Sequence, residues 1–217
     1  MILSKEDLKS FIIGMLLGDG YLHLGKNSIN YNIGCTHNPK QYDYMIWKME
    51  ILKENLHKNY WTREIDSVFS GKAIFEGNKN KIYKMFHSIL GSHTFITNIH
   101  KEMYENKKKI VPYSILDQLT PIGISVWFMD DGTLSIRKHK DGRNKTKCIF
   151  LHIQGFDSES QLNIQKYFNE KYNFESSLHK DREHLRLYIP ARKTEDFLSI
   201  VNPYVSLIDC MKYKLNH

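Results

Sequence analysis

The chain has little cysteine, no long hydrophobic run and no linker, and each shortage excludes a class of protein. Its three cysteines, Cys35, Cys148 and Cys210, have no metal-ligand spacing, and an odd number argues against a disulfide framework. A reducing compartment is the expectation. The apolar run at residues 11–17 is far shorter than the roughly 20 residues a membrane helix needs. No signal or transit peptide is visible. The protein is therefore expected inside a cell, in an organelle or in a bacterial or phage setting, and away from membranes. Histidine is plentiful, yet His37 has no second histidine a helical turn away, and all the histidines are read as satisfied or surface side chains. Pro/Gly/Ser-rich linkers and low-complexity segments are missing too. Acidic residues are outnumbered, 24 against 31 Lys and Arg, and the resulting charge of +7 fits a polyanionic partner without establishing one.

What the chain does contain is one stretch written twice. The first copy is Phe11-Ile12-Ile13-Gly14-Met15-Leu16-Leu17-Gly18-Asp19-Gly20, and the second is Ile124-Ser125-Val126-Trp127-Phe128-Met129-Asp130-Asp131-Gly132. Each is an apolar run at helix spacing that ends in aspartate and glycine. Ser4, with Asp7 three residues on, marks the first helix start as a variant capping box. Thr120 suits an N-cap and Pro121 the first helical position. Gly20 and Gly132 are expected as left-handed residues closing the helices. Both aspartates then fall in a last helical turn, at the negative end of the dipole. That costs an anion about 0.3–1 kcal/mol, so a chain that makes the choice twice has reason to hold a cation there.

The two helices are apolar nearly all round, the mark of a buried helix. Gly14 and Gly18 lie on one ridge, where another backbone can approach closely. If the copies pack together, Asp19 and Asp131 meet, and two such carboxylates repel unless a divalent metal sits between them. Oxygen ligands without a His or Cys cluster favour Mg²⁺ over zinc, with Mn²⁺ a second candidate. Asp130 is left to solvent or to the partner helix. Two core helices ending in common Asp-Gly turns would be the plain alternative; the duplication weighs against it.

Between the copies the pattern repeats. Residues 21–35 alternate as a hairpin, and Asn38-Pro39 opens a helix with Tyr42, Met45, Ile46, Met49 and Leu52 on one face. A second hairpin is expected over 60–77, turning at Ser70-Gly71, then a helix carrying Ile82, Met85, Phe86, Ile89 and Leu90. The second half gives a hairpin over 133–154 turning around Asp141-Gly142-Arg143-Asn144, a helix from Ser158, and a hairpin over 174–189. A short helix with Phe197, Ile200 and Val201 then stops before Pro203. The order is helix, hairpin, helix, hairpin, helix in both halves. The expected fold is α+β, two pseudo-symmetric αββαββα halves (residues 1–104 and 120–217) joined by a bridge at 105–119.

The paired motifs resemble those of the LAGLIDADG homing endonucleases, whose eighth motif position is the metal-binding aspartate and whose ninth is glycine. Asp19-Gly20 and Asp131-Gly132 fill those positions, and Leu119-Thr120-Pro121 with Trp127-Phe128-Met129 resembles the monomeric, intron-encoded branch. Val126 and Asp130 depart from the small residues of the pattern. The resemblance implies a site-specific double-strand DNA endonuclease with divalent metal between Asp19 and Asp131. It also implies a lysine near each centre, and Lys109 and Lys214 match those family positions. The implied partner is duplex DNA with a long, non-palindromic site, bound by a monomer on a saddle of antiparallel sheets. Intron RNA is a further implied partner, because the family includes maturases, and a catalytically silent nucleic-acid-binding relative is the other alternative.

Strand alternation supplies the candidate DNA contacts. His184, Arg186 and Tyr188 oppose the apolar Leu185, Leu187 and Ile189, and His152 and Gln154 oppose Ile149, Leu151 and Ile153. Arg137, Arg143, Lys147 and Lys26 are nearby candidates for phosphate or base contacts, and the first half offers Asn30 and Asn32. An antiparallel sheet with one wet face would show the same alternation.

Overall fold

The computed structural model describes residues 1–68, 82–138, 145–181 and 183–215. The first half runs α1 (Lys5–Leu17), β1 (Tyr21–Leu24), β2 (Tyr31–His37), a 3-10 turn at Pro39–Gln41, α2 (Tyr42–Leu56), β3 (Tyr60–Val68), β4 (Ile82–Leu90) and α3 (Thr94–Met103). A small ribbon of β5 (Tyr104–Glu105) and β6 (Lys108–Lys109), then α4 (Tyr113–Leu116), lead across. The second half runs α5 (Pro121–Asp131), β7 (Gly132–Lys138), β8 (Lys145–His152), α6 (Ser158–Tyr172), β9 (Ser177–Asp181), β10 (His184–Ile189), α7 (Ala191–Val205) and a 3-10 turn at Asp209–Lys214.

The two four-stranded antiparallel sheets have the same topology, β1-β2-β4-β3 and β7-β8-β10-β9. The repeat read from the sequence is thus a repeat of fold. One face of each sheet carries its apolar residues against helices: Ile33 and Leu90 in one, Leu134, Ile149, Leu151, Leu187 and Ile189 in the other, all nearly or wholly inaccessible. Among the described residues no helix is long and apolar enough to cross a membrane.

Helices α1 and α5 form the centre. Residues 11–17 of the first and 122–129 of the second are buried. They meet at Ser10, Gly14 and Gly18 on α1 and its C-terminal turn. A Cβ on Gly14 would collide with the Gly123 carbonyl, and one on Gly123 with Ser10. The missing side chains let the two backbones touch, as the glycine ridge implied. At the helix starts, Ser4 caps α1 by accepting the Asp7 N–H at 3.0 Å. Thr120 does not cap α5. Its hydroxyl donates to Asp7 at 2.6 Å, and its own N–H goes to the Ser10 hydroxyl at 2.7 Å, so it ties the two motif helices together.

Four other local expectations are corrected. Residues 82–90 are strand β4, paired along its whole length with β3, instead of a helix. Ile82, Met85, Phe86, Ile89 and Leu90 fit a helical stripe because this strand carries apolar residues on both faces. Gly20 and Gly132 are not left-handed; Gly132 is extended at φ −88°, ψ 153°. They are required by crowding, since a Cβ on Gly20 would overlap the Met15 carbonyl and one on Gly132 the Phe128 ring. Helix α7 continues through Pro203 to Val205, because a proline in the last turn forfeits a single backbone bond. Asp19 lies just beyond α1, which ends at Leu17, whereas Asp131 is the last residue of α5. The turns at Ser70-Gly71 and at Asp141–Asn144, and with the latter Arg143, lie outside the described residues.

Candidate active site

The C-terminal ends of α1 and α5 bring three carboxylates together: Asp19, Asp130 and Asp131. Burial, with Asp130 beside it, raises the Asp19 pKa to about 6, against the opposing pull of Lys48 and Lys214. Burial and the repulsion of Asp19 and Asp130 raise Asp131 to about 7, against Lys214 and Lys109. Two carboxyls this reluctant to ionise are hard-oxygen donors whose charge is not matched by the protein alone. That donor set fits a hard divalent cation.

Each lysine matched by resemblance reaches a backbone carbonyl at the end of a motif helix. Lys109, from β6, donates to the Leu16 carbonyl. Lys214, from the C-terminal 3-10 turn, donates to the Gly132 carbonyl at 2.7 Å and is 8% exposed. An ammonium on the last carbonyls of a helix meets the negative end of its dipole. Burial lowers the pKa of both lysines, with the aspartates opposing.

Of the two places the sequence allows the Asp130 side chain, solvent or the partner helix, the structure shows the interior one. Its side chain and that of Lys48, on α2, are both 0% exposed and pair at 3.0 Å. The other Asp130 oxygen accepts the Asp19 N–H at 3.1 Å. Gly18 makes room, since a Cβ there would strike the Asp130 side chain. Burial pulls the Lys48 pKa down, but Asp130, Cys35 and Asp19 together outweigh it and the net shift is upward. His37, at the end of β2, lies with its Nε2 2.7 Å from the Lys48 ammonium. Burial and Lys48 push this imidazole down to about 4, so it is neutral here. The sequence reading missed Lys48 and assigned His37 no role. A signal existed for Lys48: it falls on the buried face of α2, between Tyr44, Met45, Met49 and Leu52. A lysine there needs an internal anion.

The candidate DNA contacts divide. Arg137, His152, His184, Arg186 and Tyr188 stand on the face of the second sheet turned away from its helices, as the pairings of Arg186 with His152 and of Arg137 with Thr146 require. The Arg186 guanidinium lies 3.8 Å over the Phe150 ring and 3.5 Å from Asp181, and Tyr188 stacks on His179 at 4.2 Å. Gln154 follows β8 and bonds His152 at 3.2 Å. Lys147 is corrected: it shares its side of β8 with Ile149 and Leu151, and its ammonium reaches Glu195 on α7 at 3.6 Å. Lys26 is exposed in the β1–β2 turn. Asn30 and Asn32 serve the scaffold, Asn30 accepting from Thr97 at 3.0 Å and Asn32 donating to the Leu90 carbonyl at 3.1 Å. The outer face of the first sheet presents residues the sequence reading did not single out. Arg63, on β3, is exposed opposite His87, and Trp61 is 52% exposed.

Comparison with known proteins meets this geometry. A model of the LAGLIDADG DNA endonuclease family matches residues 9–197, and the chain belongs to that family. It is 27% identical to DNA endonuclease I-ChuI of Chlamydomonas applanata, over 97% of this chain and 95% of that protein. It is 24% identical to cytochrome b mRNA maturase bI2 of Saccharomyces cerevisiae, over 97% of this chain but 48% of that protein. Its fold matches the homing endonuclease I-WcaI bound to its DNA recognition sequence with a TM-score of 0.77 at 25% identity, covering 99% of this chain and 88% of that one.

Proposed function

We propose that the chain is a site-specific double-strand DNA endonuclease whose two motif halves, residues 1–104 and 120–217, each serve one strand, with 105–119 as the bridge. The observation that carries this is the meeting of Asp19 and Asp131 at the two motif-helix ends, one backed by the half-buried Lys109 and the other by the buried Lys214. Asp19 and Asp131 would hold a divalent cation, which would supply Lewis acidity to activate water and to offset charge on the phosphate. Mg²⁺ is the cation we assign, on the all-oxygen donor pair. Lys109 and Lys214, fixed on backbone carbonyls, hold positive charge where the scissile phosphates gain negative charge. The outer faces of the two sheets form the DNA surface, with Arg137, His152, His184, Arg186 and Tyr188 in one half and Arg63, Trp61 and Lys26 in the other.

One chain already carries both aspartates, so it acts as a monomer. The two outer faces differ in donors and acceptors, so the site they select is non-palindromic. The likeness to a maturase supports a second reading, assistance of intron splicing through bound RNA. Incubation with Mg²⁺ and a randomised duplex library, followed by sequencing of what is cut, separates the two. A single long asymmetric site is the expected product. DNA left intact at every site, with tight RNA binding, favours the maturase reading.

A further inference from the structure

The Lys48–Asp130 pair breaks the symmetry of the site. At the motif position of Asp130 the first copy has Gly18. Counted back from the left-handed residue that ends each helix, His57 and Asn173, Lys48 on α2 corresponds to the buried Ile164 on α6. One side of the α1–α5 contact thus pairs a carboxylate from α5 with a buried cation from α2, where the equivalent positions on α1 and α6 are glycine and isoleucine. Ligand atoms of Asp19, His37 and Asp130 lie within 4.8 Å of one another. An imidazole and two carboxylates this close are a donor set that Co²⁺, Zn²⁺ or Mn²⁺ would accept. The Lys48 ammonium stands among them, 2.7 Å from His37 Nε2 and 3.0 and 3.3 Å from the two Asp130 oxygens.

We propose that Lys48 is a positioning residue. Its ammonium is a fixed internal cation that keeps divalent metal out of the Asp19–His37–Asp130 cluster and so reserves Asp19 for a metal shared with Asp131. The proposal rests on Asp19 being a metal ligand, as proposed above. Held by Lys48, Asp130 has its charge matched and turns its second oxygen to the Asp19 N–H at 3.1 Å, which fixes the backbone that carries the Asp19 carboxylate. With Lys48 gone, Asp130 becomes a third anion beside a neutral imidazole, and metal settles off centre.

The test titrates the full chain with Co²⁺ alone, read by calorimetry and visible absorption, and measures cleavage separately with Mg²⁺. Lys48→Met should gain one further Co²⁺ with imidazole ligation, and Lys48→Met/His37→Ala should lose it. At saturating protein, Lys48→Met should cut about 10-fold more slowly or worse. Lys48→Met/Asp130→Asn removes the third anion and keeps an oxygen for the Asp19 N–H. It should bind Co²⁺ as the parent does and recover most of the rate. If Lys48→Met folds poorly, Co²⁺ should raise its Tm far more than the parent's. A Lys48→Met protein that binds no more Co²⁺ than the parent, and gains no more Tm from it, overturns the proposal. So does a double variant that stays slow with parental cobalt stoichiometry. Failure of the underlying reading shows separately, as Asp19→Asn in the parent chain leaving Co²⁺ binding unchanged.

Discussion

Replacing Asp131 with asparagine should make the metal-free protein more stable while removing its metal-dependent activity. In the native chain burial and the neighbouring Asp19 and Asp130 raise the Asp131 pKa from 3.8 to about 7. The folded state therefore holds the proton more tightly than the unfolded one, and ionising the group costs stability. The cost is absent near pH 4 and below, grows as pH rises toward 7, and is complete above it. At about 1.4 kcal/mol for each pK unit, the ceiling is on the order of 4 kcal/mol. Asp131 is partly open to water and shares its repulsion with Asp19, so the realised penalty is about 1–2 kcal/mol. For a chain of this size that corresponds to about 3–6 °C in Tm. Thermal unfolding in EDTA at pH 8 should show Asp131→Asn melting higher than the parent by that margin, with the gap closing near pH 4. Saturating Mg²⁺ should raise the parent's Tm and leave the variant's nearly unchanged. An Asp131→Asn protein that melts at or below the parent in EDTA at pH 8 would show that the carboxylates are not in conflict.

The lysines and the helix crossing give further expectations. Lys109→Met and Lys214→Met should each lower the cleavage rate at saturating protein by about 10²-fold with little change in DNA affinity, as measured by single-turnover kinetics; lost affinity at an unchanged rate would make them phosphate-positioning residues. Gly14→Ala drives a methyl into the Gly123 backbone and should destabilise by about 1–3 kcal/mol, read as a lowered urea midpoint. Arg186→Ala should weaken DNA binding and flatten its salt dependence, whereas Lys147→Met should do neither, because Lys147 faces α7.

The helix, hairpin, helix, hairpin, helix order was legible in the second half, where the hydrophobic period is clear; in the first half the order came out right only because the helix read into 82–90 stood in for α3 (Thr94–Met103). Asp19 and Asp131 stood out because they end the same motif. Strand β4 was not legible, since apolar residues on both faces of a strand mimic a helical stripe. Gly20 and Gly132 were found for the wrong reason: only the packed structure shows that Met15 and Phe128 crowd them. Lys109 and Lys214 came from family resemblance, because nothing local distinguishes a lysine that reaches a helix-end carbonyl from one in solvent. Lys48 went unread because its partner is far along the chain. The clue lay in two misfits taken together, an aspartate inside an apolar helix and a lysine on the buried face of another. Lys147 could have been excluded from the DNA face by applying the alternation of Ile149 and Leu151 one step further.

The most direct measurement is cleavage of the selected site, carried on a supercoiled plasmid, by the parent, Asp19→Asn and Asp131→Asn proteins at saturating concentration with Mg²⁺. The parent should convert the plasmid to linear DNA. Both variants should bind the site about as tightly as the parent, and neither should linearise it. Full double-strand cutting by Asp131→Asn would contradict the assignment of the two aspartates as the shared metal-binding centre.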